Sequence, residues 1–342
     1  MCSSDLRAAA ECERALMLDP GGAEVLLALG SLATSTGQRD VALRHFEGVL
    51  ALKPESFDAR LGIARVHHDA GHYELAEAVC KAAIQSAPED WRGHSLLGSI
   101  HFRSGRYEQA LAPWNRVLEL TPDNTRGHRN LGNAFYCLER WEDAVIAYER
   151  SLAIQPNADA YTNLGTTLYY LGREDESIAA FRRAAELTPT DPVGWGNLGN
   201  ACHWFPGRKD EAGPALDRAI AIMLEQLARN SAEPECWARL GGWLANRGRL
   251  EEAGEAVRRA LELAPDDVRS LVIAGHVYYQ LGDRAECLRV LGAALAAGYG
   301  ARELMRSREL APLRADPEFR HLLEGRSSPL SATDETRCDG AA

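Results

Sequence analysis

Three histidines and a carboxylate, His67, His68, Asp69 and His72, form the tightest grouping of side chains able to bind a metal or move a proton. Neutral imidazoles and a carboxylate are the usual ligands of zinc, so metal binding is the chemistry such a group could do. Gly71 interrupts the helix between His68 and His72, and a solvated helix end accounts for the four better. No G-x-x-x-x-G-K-[ST], G-x-S-x-G or H-E-x-x-H pattern occurs, and no C-x-x-C pair. The eight cysteines (2, 12, 80, 137, 202, 236, 287, 338) are scattered, with Cys80, Cys202 and Cys287 on apolar helix positions. They read as small reduced core residues, which fits a reducing compartment. The expectation is a protein that is not an enzyme and uses no metal and no cofactor.

The charge balance narrows the partners. A net charge of -11 over 342 residues disfavours generic binding to nucleic acid or anionic lipid, both of which need a positive face. No run approaches the roughly 18 apolar residues of a membrane span, and no signal peptide is visible. A cytoplasmic location without membrane insertion is expected, unless a span lies upstream. A composition 46% hydrophobic and 25% charged is that of a folded, helix-rich chain.

The elements that must position any site are clearest in Thr125 to Pro156, TRGHRNLGNAFYCLERWEDAVIAYERSLAIQP. Leu131, Ala134, Phe135 and Leu138 fall at i, i+3, i+4 and i+7. Ala144, Val145, Tyr148 and Leu152 repeat the helical period beyond a Glu139-Arg140 turn. Gly132 and Ala144 are small, so two antiparallel helices can approach closely, and Pro156 ends the second. Such a hairpin cannot bury both apolar faces alone and needs neighbours of its kind.

The chain supplies them. The small position held by Gly132 recurs at Gly30, Ala64, Gly98, Gly165, Gly199, Gly241 and Gly275, in steps of 34, 34, 34, 33, 34, 42 and 34. The closing proline recurs at Pro54, Pro88, Pro122, Pro156, Pro189 and Pro265. With His128, Leu131-Gly132, Phe135, Ala144, Tyr148, Ser151 and Pro156 in its pattern, the unit resembles the tetratricopeptide repeat over roughly nine tenths of the chain. The resemblance implies an all-α solenoid, a right-handed superhelix of about eight helical hairpins. The repeats are expected at 23–56, 57–90, 91–124, 125–157, 158–191, 192–233, 234–267 and 268–300.

The ends and the sixth repeat depart from the pattern. Residues 1–22 read as a sequence scar (MCSSDL) followed by an orphan second helix, LRAAAECERALMLDP, whose open face could self-associate. Repeat 6 is longer by eight, and its second helix should run on to Ala228, offering Met223 and Leu227 either to a neighbouring repeat or to a partner. In 301–325, Leu304, Leu310, Leu313, Phe319, Leu322 and Leu323 should cap the last open face, with Arg and Glu outward. The polar 326–342 reads as a disordered tail. The long repeat, the segment ending at Tyr299 and the Leu310-to-Phe319 element also resemble the close of arrays appended to bacterial Ser/Thr protein kinases and adenylyl cyclases. That second resemblance implies an upstream catalytic domain and makes a regulatory or sensor role the competing reading.

The family resemblance implies that the first helix of each hairpin lines a concave groove, with the second, fifth, sixth, ninth, twelfth and thirteenth positions facing a ligand. From repeat 3 to repeat 6 those positions hold Arg92, Ser99, Phe102, Arg103, Arg126, Arg129, Asn130, Asn133, Tyr136, Asn163, Thr166, Tyr169, Asn197, Asn200 and Trp204. Asparagine offers a donor and an acceptor to peptide amides, and flat aromatics take side chains between them at little entropic cost. The sixth-position asparagines could equally tie adjacent helices together. Arg129, Asn133 and Asn163 partly match a clamp for peptide C-terminal carboxylates, but Val193 and Asn197 stand where its further cations are needed. The expected function is therefore a protein interaction scaffold that holds an internal peptide segment of a partner, with the arginines set against acidic side chains.

Overall fold

The computed structural model describes residues 22–324, and the expectations for the scar, the orphan helix and the polar tail lie outside them. The described residues are all-α, without strands. Eight helical hairpins follow one another: α1 (Ala23–Ser35) with α2 (Arg39–Leu52), α3 (Phe57–Asp69) with α4 (Tyr73–Ser86), and α5 (Trp91–Arg103) with α6 (Tyr107–Leu120). Next come α7 (Thr125–Cys137) with α8 (Trp141–Ile154), α9 (Ala158–Leu171) with α10 (Glu174–Leu187), and α11 (Pro192–Trp204) with α12 (Lys209–Arg229). The last two pair α13 (Pro234–Asn246) with α14 (Leu250–Leu263) and α15 (Val268–Leu281) with α16 (Arg284–Ala296). After them come α17 (Ala301–Arg306), a 3-10 turn (Ala311–Ala315) and α18 (Pro317–Glu324). The chain forms two compact units, divided inside α7 between Ala134 and Phe135.

Local chemistry sets the hairpin boundaries. Six of the eight first helices start on side-chain caps: Ser56, Asp90, Asn124, Asn157, Asp191 and Asp267 each accept a backbone N–H of the following turn. Chain reversals fall on left-handed residues, Gly37, Gly71, Gly105, Gly172, Gly207, Gly248 and Gly282, the conformation glycine adopts without strain. Among the described residues one reversal breaks this rule, at Glu139 with φ 60°.

In the first unit the recurrent small position faces the large residue of the second helix. A Cβ on Gly98 would lie 2.3 Å from the Trp114 indole nitrogen, and one on Gly30 would lie 2.6 Å from the Phe46 ring. Repeat 2 makes the opposite trade, for Ala64 packs in one buried cluster with Cys80, a side chain small enough to admit the extra methyl. Cys80, Cys202 and Cys287 are buried free thiols, as their apolar positions suggest, and burial raises all three above the ordinary thiol range.

In the second unit α12 is 21 residues long against 14 in α10. Its extension does not display Met223 and Leu227 to a partner: both are buried, in one core with Leu240 and Trp243 of α13, while Leu224 faces solvent. The same core takes in Leu304, Leu310, Leu313, Phe319 and Leu323, so the C-terminal leucines do cover apolar surface. Arg284 fixes them from α16 through a forked bond to Asp316 (2.7 and 2.9 Å) and a contact to Glu318 (3.0 Å). Among the described residues no helix is long and apolar enough to cross a membrane.

Candidate functional site

In the first unit an open cavity of about 650 Å³ lies over the first helices of repeats 1 to 3. Its wall is Leu27, Ala28, Ser31, Thr34 and Ser35 from α1, Asp58, Leu61, Gly62, Arg65 and Asp69 from α3, and Arg92 from α5, with Phe46 beneath. Counted from each repeat's start, all but Phe46 fall at the second, fifth, sixth, ninth, twelfth or thirteenth position. Sequence reasoning sought aromatics and amides and so began the groove at Arg92; the same count carried back through repeats 1 and 2 finds the open space. Small side chains on α1 leave that room, and Asp58, Arg65 and Asp69 give it charges of both signs.

Arg92 is already engaged there. Its guanidinium bonds Asp58 (2.9 Å) and Asp90 (2.6 Å) and lies 5.0 Å over the Phe57 ring. The bond from Arg92 holds the Asp90 carboxyl below its usual range. An acidic ligand would have to compete with two carboxylates for this cation. Ser99 donates to the Ser95 carbonyl (3.0 Å). Phe102 turns onto its own hairpin, 5.3 Å from Tyr107 and 5.6 Å from Trp114, so it is a packing residue. Arg103 and Arg126 are exposed, Arg129 and Asn130 half-buried, and Asn133 is buried in the wall. The His67 and His72 rings stand 6.0 Å apart across the interrupting glycine, while His68 bonds Asp69 (2.9 Å). Among the described residues no cluster of three or more His, Cys, Asp or Glu is arranged to hold a metal ion.

The second unit is occupied differently. Tyr136, Trp141, Tyr169, Tyr170 and Phe205 form a continuous aromatic surface, with Trp141 stacked on Tyr170 (5.7 Å) and Tyr169 tilted on Phe205 (5.1 Å). The chain's own Arg306 and Arg308 lie on it. Arg306 sits 5.1 Å over Trp141, and Arg308 sits 5.0 Å over Tyr169 and 4.9 Å over Phe205. Their charges meet carboxylates at the rim, Arg306 on Glu139 at 2.9 and 3.1 Å and Arg308 on Glu174 at 3.6 Å. Between them Ser307 bonds His276 (3.3 Å) and Glu309 (2.6 Å). Arg302, Arg314 and Arg320 of this segment are exposed, as expected, whereas Arg306 and Arg308 turn onto the rings. An aromatic face ringed by carboxylates is a better environment for a guanidinium than open water on one side and leucines on the other.

Of the expected set in this unit, Tyr136 and Tyr169 belong to the covered surface, and burial pushes both phenols up. Asn163 is buried, and Thr166 bonds the Thr162 carbonyl (3.0 Å). Asn197 is half-buried. Asn200 accepts from Asn246 (2.9 Å), whose own oxygen accepts from Gln280 (3.1 Å), a ladder that ties three successive repeats. Trp204 packs on His203 (4.8 Å), its buried indole N–H without a hydrogen-bond partner. Sequence reasoning missed Glu139, Trp141, Glu174 and Phe205. The available signal was Glu139 itself, standing where the neighbouring turns carry glycine.

Comparison with known proteins follows the same pattern of repeats. Three family models described as "Tetratricopeptide repeat" match residues 33–100, 129–192 and 234–267, and one described as "TPR repeat" matches 98–138. No curated protein sequence matches the chain. Among solved structures, the Cut9–Hcn1 hetero-tetramer of the APC/C is similar over 89% of this chain at 15% identity and a TM-score of 0.54. The chain spans 55% of that relative's length. TTC0263, a thermophilic TPR protein of Thermus thermophilus, is 22% identical over 53% of this chain and 98% of its own, with a TM-score of 0.44. YrrB, a TPR protein with an unusual peptide-binding site, is 22% identical over 56% of this chain and 95% of its own, with a TM-score of 0.39.

Proposed function

Because the chain belongs to the tetratricopeptide-repeat family, we propose that it is a non-catalytic interaction module that holds a peptide segment of another protein against the inner faces of its first helices. One observation carries this reading: the open cavity of the first unit is walled almost wholly by the positions that face ligands in such repeats. Its mixture of apolar floor, hydroxyls and charges of both signs suits a peptide whose side chains enter pockets while its amides meet Ser31, Thr34 and Ser35. Arg103, Arg126, Arg129 and Asn130 would extend the contact. Asn133, Asn163 and Asn200 serve better as ties within the wall than as ligand groups.

A phage-displayed library of random 12-residue peptides, selected on the full chain, tests this. Selected peptides should bind at micromolar affinity and lose at least tenfold on Ser31→Trp, which fills the cavity from the exposed face of α1, with helix content unchanged. Equal binding by Ser31→Trp removes the assignment of the cavity.

A further inference from the structure

We infer that the aromatic face of the second unit is a receptor for two arginine side chains spaced as Arg-Xaa-Arg, and that the chain keeps it filled with its own Arg306-Ser307-Arg308. The partner it fits is a protein segment carrying that motif, which binds by displacing the internal copy. The inference deepens the interaction reading for the second unit, and it does not depend on the cavity of the first.

Three observations carry it. Glu139 holds a left-handed backbone, φ 60°, at a reversal where seven others use glycine. An L-residue is disfavoured there, so glycine would serve the turn better, and what Glu139 adds is the carboxylate that grips Arg306 in a two-pronged bond. Second, the arginine positions are built on both sides: a ring below and a carboxylate at the rim, Trp141 with Glu139 and Tyr169 with Glu174. Near the second lies the buried Tyr169 hydroxyl, which finds no hydrogen-bond partner in the closed state. Third, the grip is exchangeable. The two arginines and both carboxylates keep between 29% and 37% of their side-chain surface, so their ion pairs are solvent-screened. The flanking Leu304 and Leu310 are fully buried and hold the segment's ends. Firm anchors on either side of a weakly held Arg-Ser-Arg describe a strap that can lift locally without loss of the cap.

A tethered segment competes at high effective concentration, so removing its arginines should unmask the site. The probe is a fluorescent peptide with the sequence of residues 301–310, titrated by anisotropy against the full chain. The Arg306→Ala/Arg308→Ala variant should bind it at least tenfold more tightly than the native chain. A peptide with alanine at the positions of Arg306 and Arg308, its first arginine kept, should not bind, and adding Glu139→Gln to the variant should cancel the gain. Equal binding by native chain and variant, or equal binding of the two peptides, overturns the inference. Should the double variant fold poorly, Glu139→Gly in the native background decides. A melting temperature unchanged or raised, with faster hydrogen exchange at 305–309, supports a carboxylate kept for its grip; a fall of several degrees makes Glu139 a structural brace and ends the argument. Because the probe reads the second unit alone, a failed cavity test and a failed strap test are separate results.

Discussion

At the scale of single residues, most of the chain's glycines are set by what they face, and the distances decide the sign of a substitution. Alanine in mid-helix is favoured over glycine by about 1 kcal/mol when there is room for its methyl. At Gly292 of α16 there is room, since a Cβ would meet nothing closer than 3.5 Å. Gly292→Ala should therefore raise stability by about 0.5–1 kcal/mol in urea titration. At Gly98 the same methyl would fall 2.3 Å from Trp114, which is 2% exposed, packed against Phe102 and hydrogen-bonded to the Ser95 carbonyl. Overpacking of about 1–3 kcal/mol then outweighs the propensity gain, and Gly98→Ala should lower the melting temperature. The sequence reading saw that these positions were small but not which residue each one faced; the pairing of Ala64 with Cys80 shows that the two helices vary together.

At the scale of elements, the helical period reads out directly, because each hairpin's apolar residues face either its partner or the next repeat. What a helix buries beyond its own repeat is harder to read. Met223 and Leu227 look the same in sequence whether they meet a neighbour or solvent, and only the position of α13 decides it. Their burial predicts that Met223→Ala costs about 2–5 kcal/mol, the range for a closed core, rather than leaving stability unchanged as a displayed side chain would. The orientation of Arg306 and Arg308 was likewise invisible, because a basic residue beside leucines is ordinarily solvated and the aromatic face that receives it lies more than 100 residues earlier in the chain. The cap also has a pH signature. Arg284 and two backbone N–H groups hold the Asp316 carboxyl at about 2, well below the ordinary aspartate range. A depressed carboxylate contributes stability that is whole above its unfolded value and is lost as pH falls through the folded one. The difference in melting temperature between the native chain and Asp316→Asn should thus be constant above about pH 5 and shrink toward nothing as pH falls to about 2. A difference that persists at pH 2 would mean that the bond to Arg284 is not its source.

For the whole molecule, repetition fixed the architecture in advance, since tandem hairpins of one period have one way to bury their faces, by stacking on each other. It could not mark the division inside α7, because Thr125 to Pro156 is the most regular stretch of the chain and periodicity reports only the nearest pairing. The overall charge, however, is a property of the full sequence, and it bears on both surfaces. At -11 the molecule repels acidic segments at a distance, and the one cation of the first-unit cavity nearest the expected groove, Arg92, is already matched by Asp58 and Asp90. The second unit's face presents Glu139 and Glu174 to arginine. A basic segment is therefore the ligand the field of the protein draws in, and an acidic one is the ligand it turns away. Long-range attraction of this kind acts on encounter, while close contacts with rings and carboxylates act on release. With the Arg306→Ala/Arg308→Ala chain and the 301–310 peptide, raising ionic strength from about 0.05 to about 0.5 M should lower the association rate roughly tenfold and change the dissociation rate far less. Stopped-flow anisotropy separates the two rates. An association rate indifferent to salt would leave the aromatic surface as the sole source of affinity, and would remove the net charge from any part in choosing the partner.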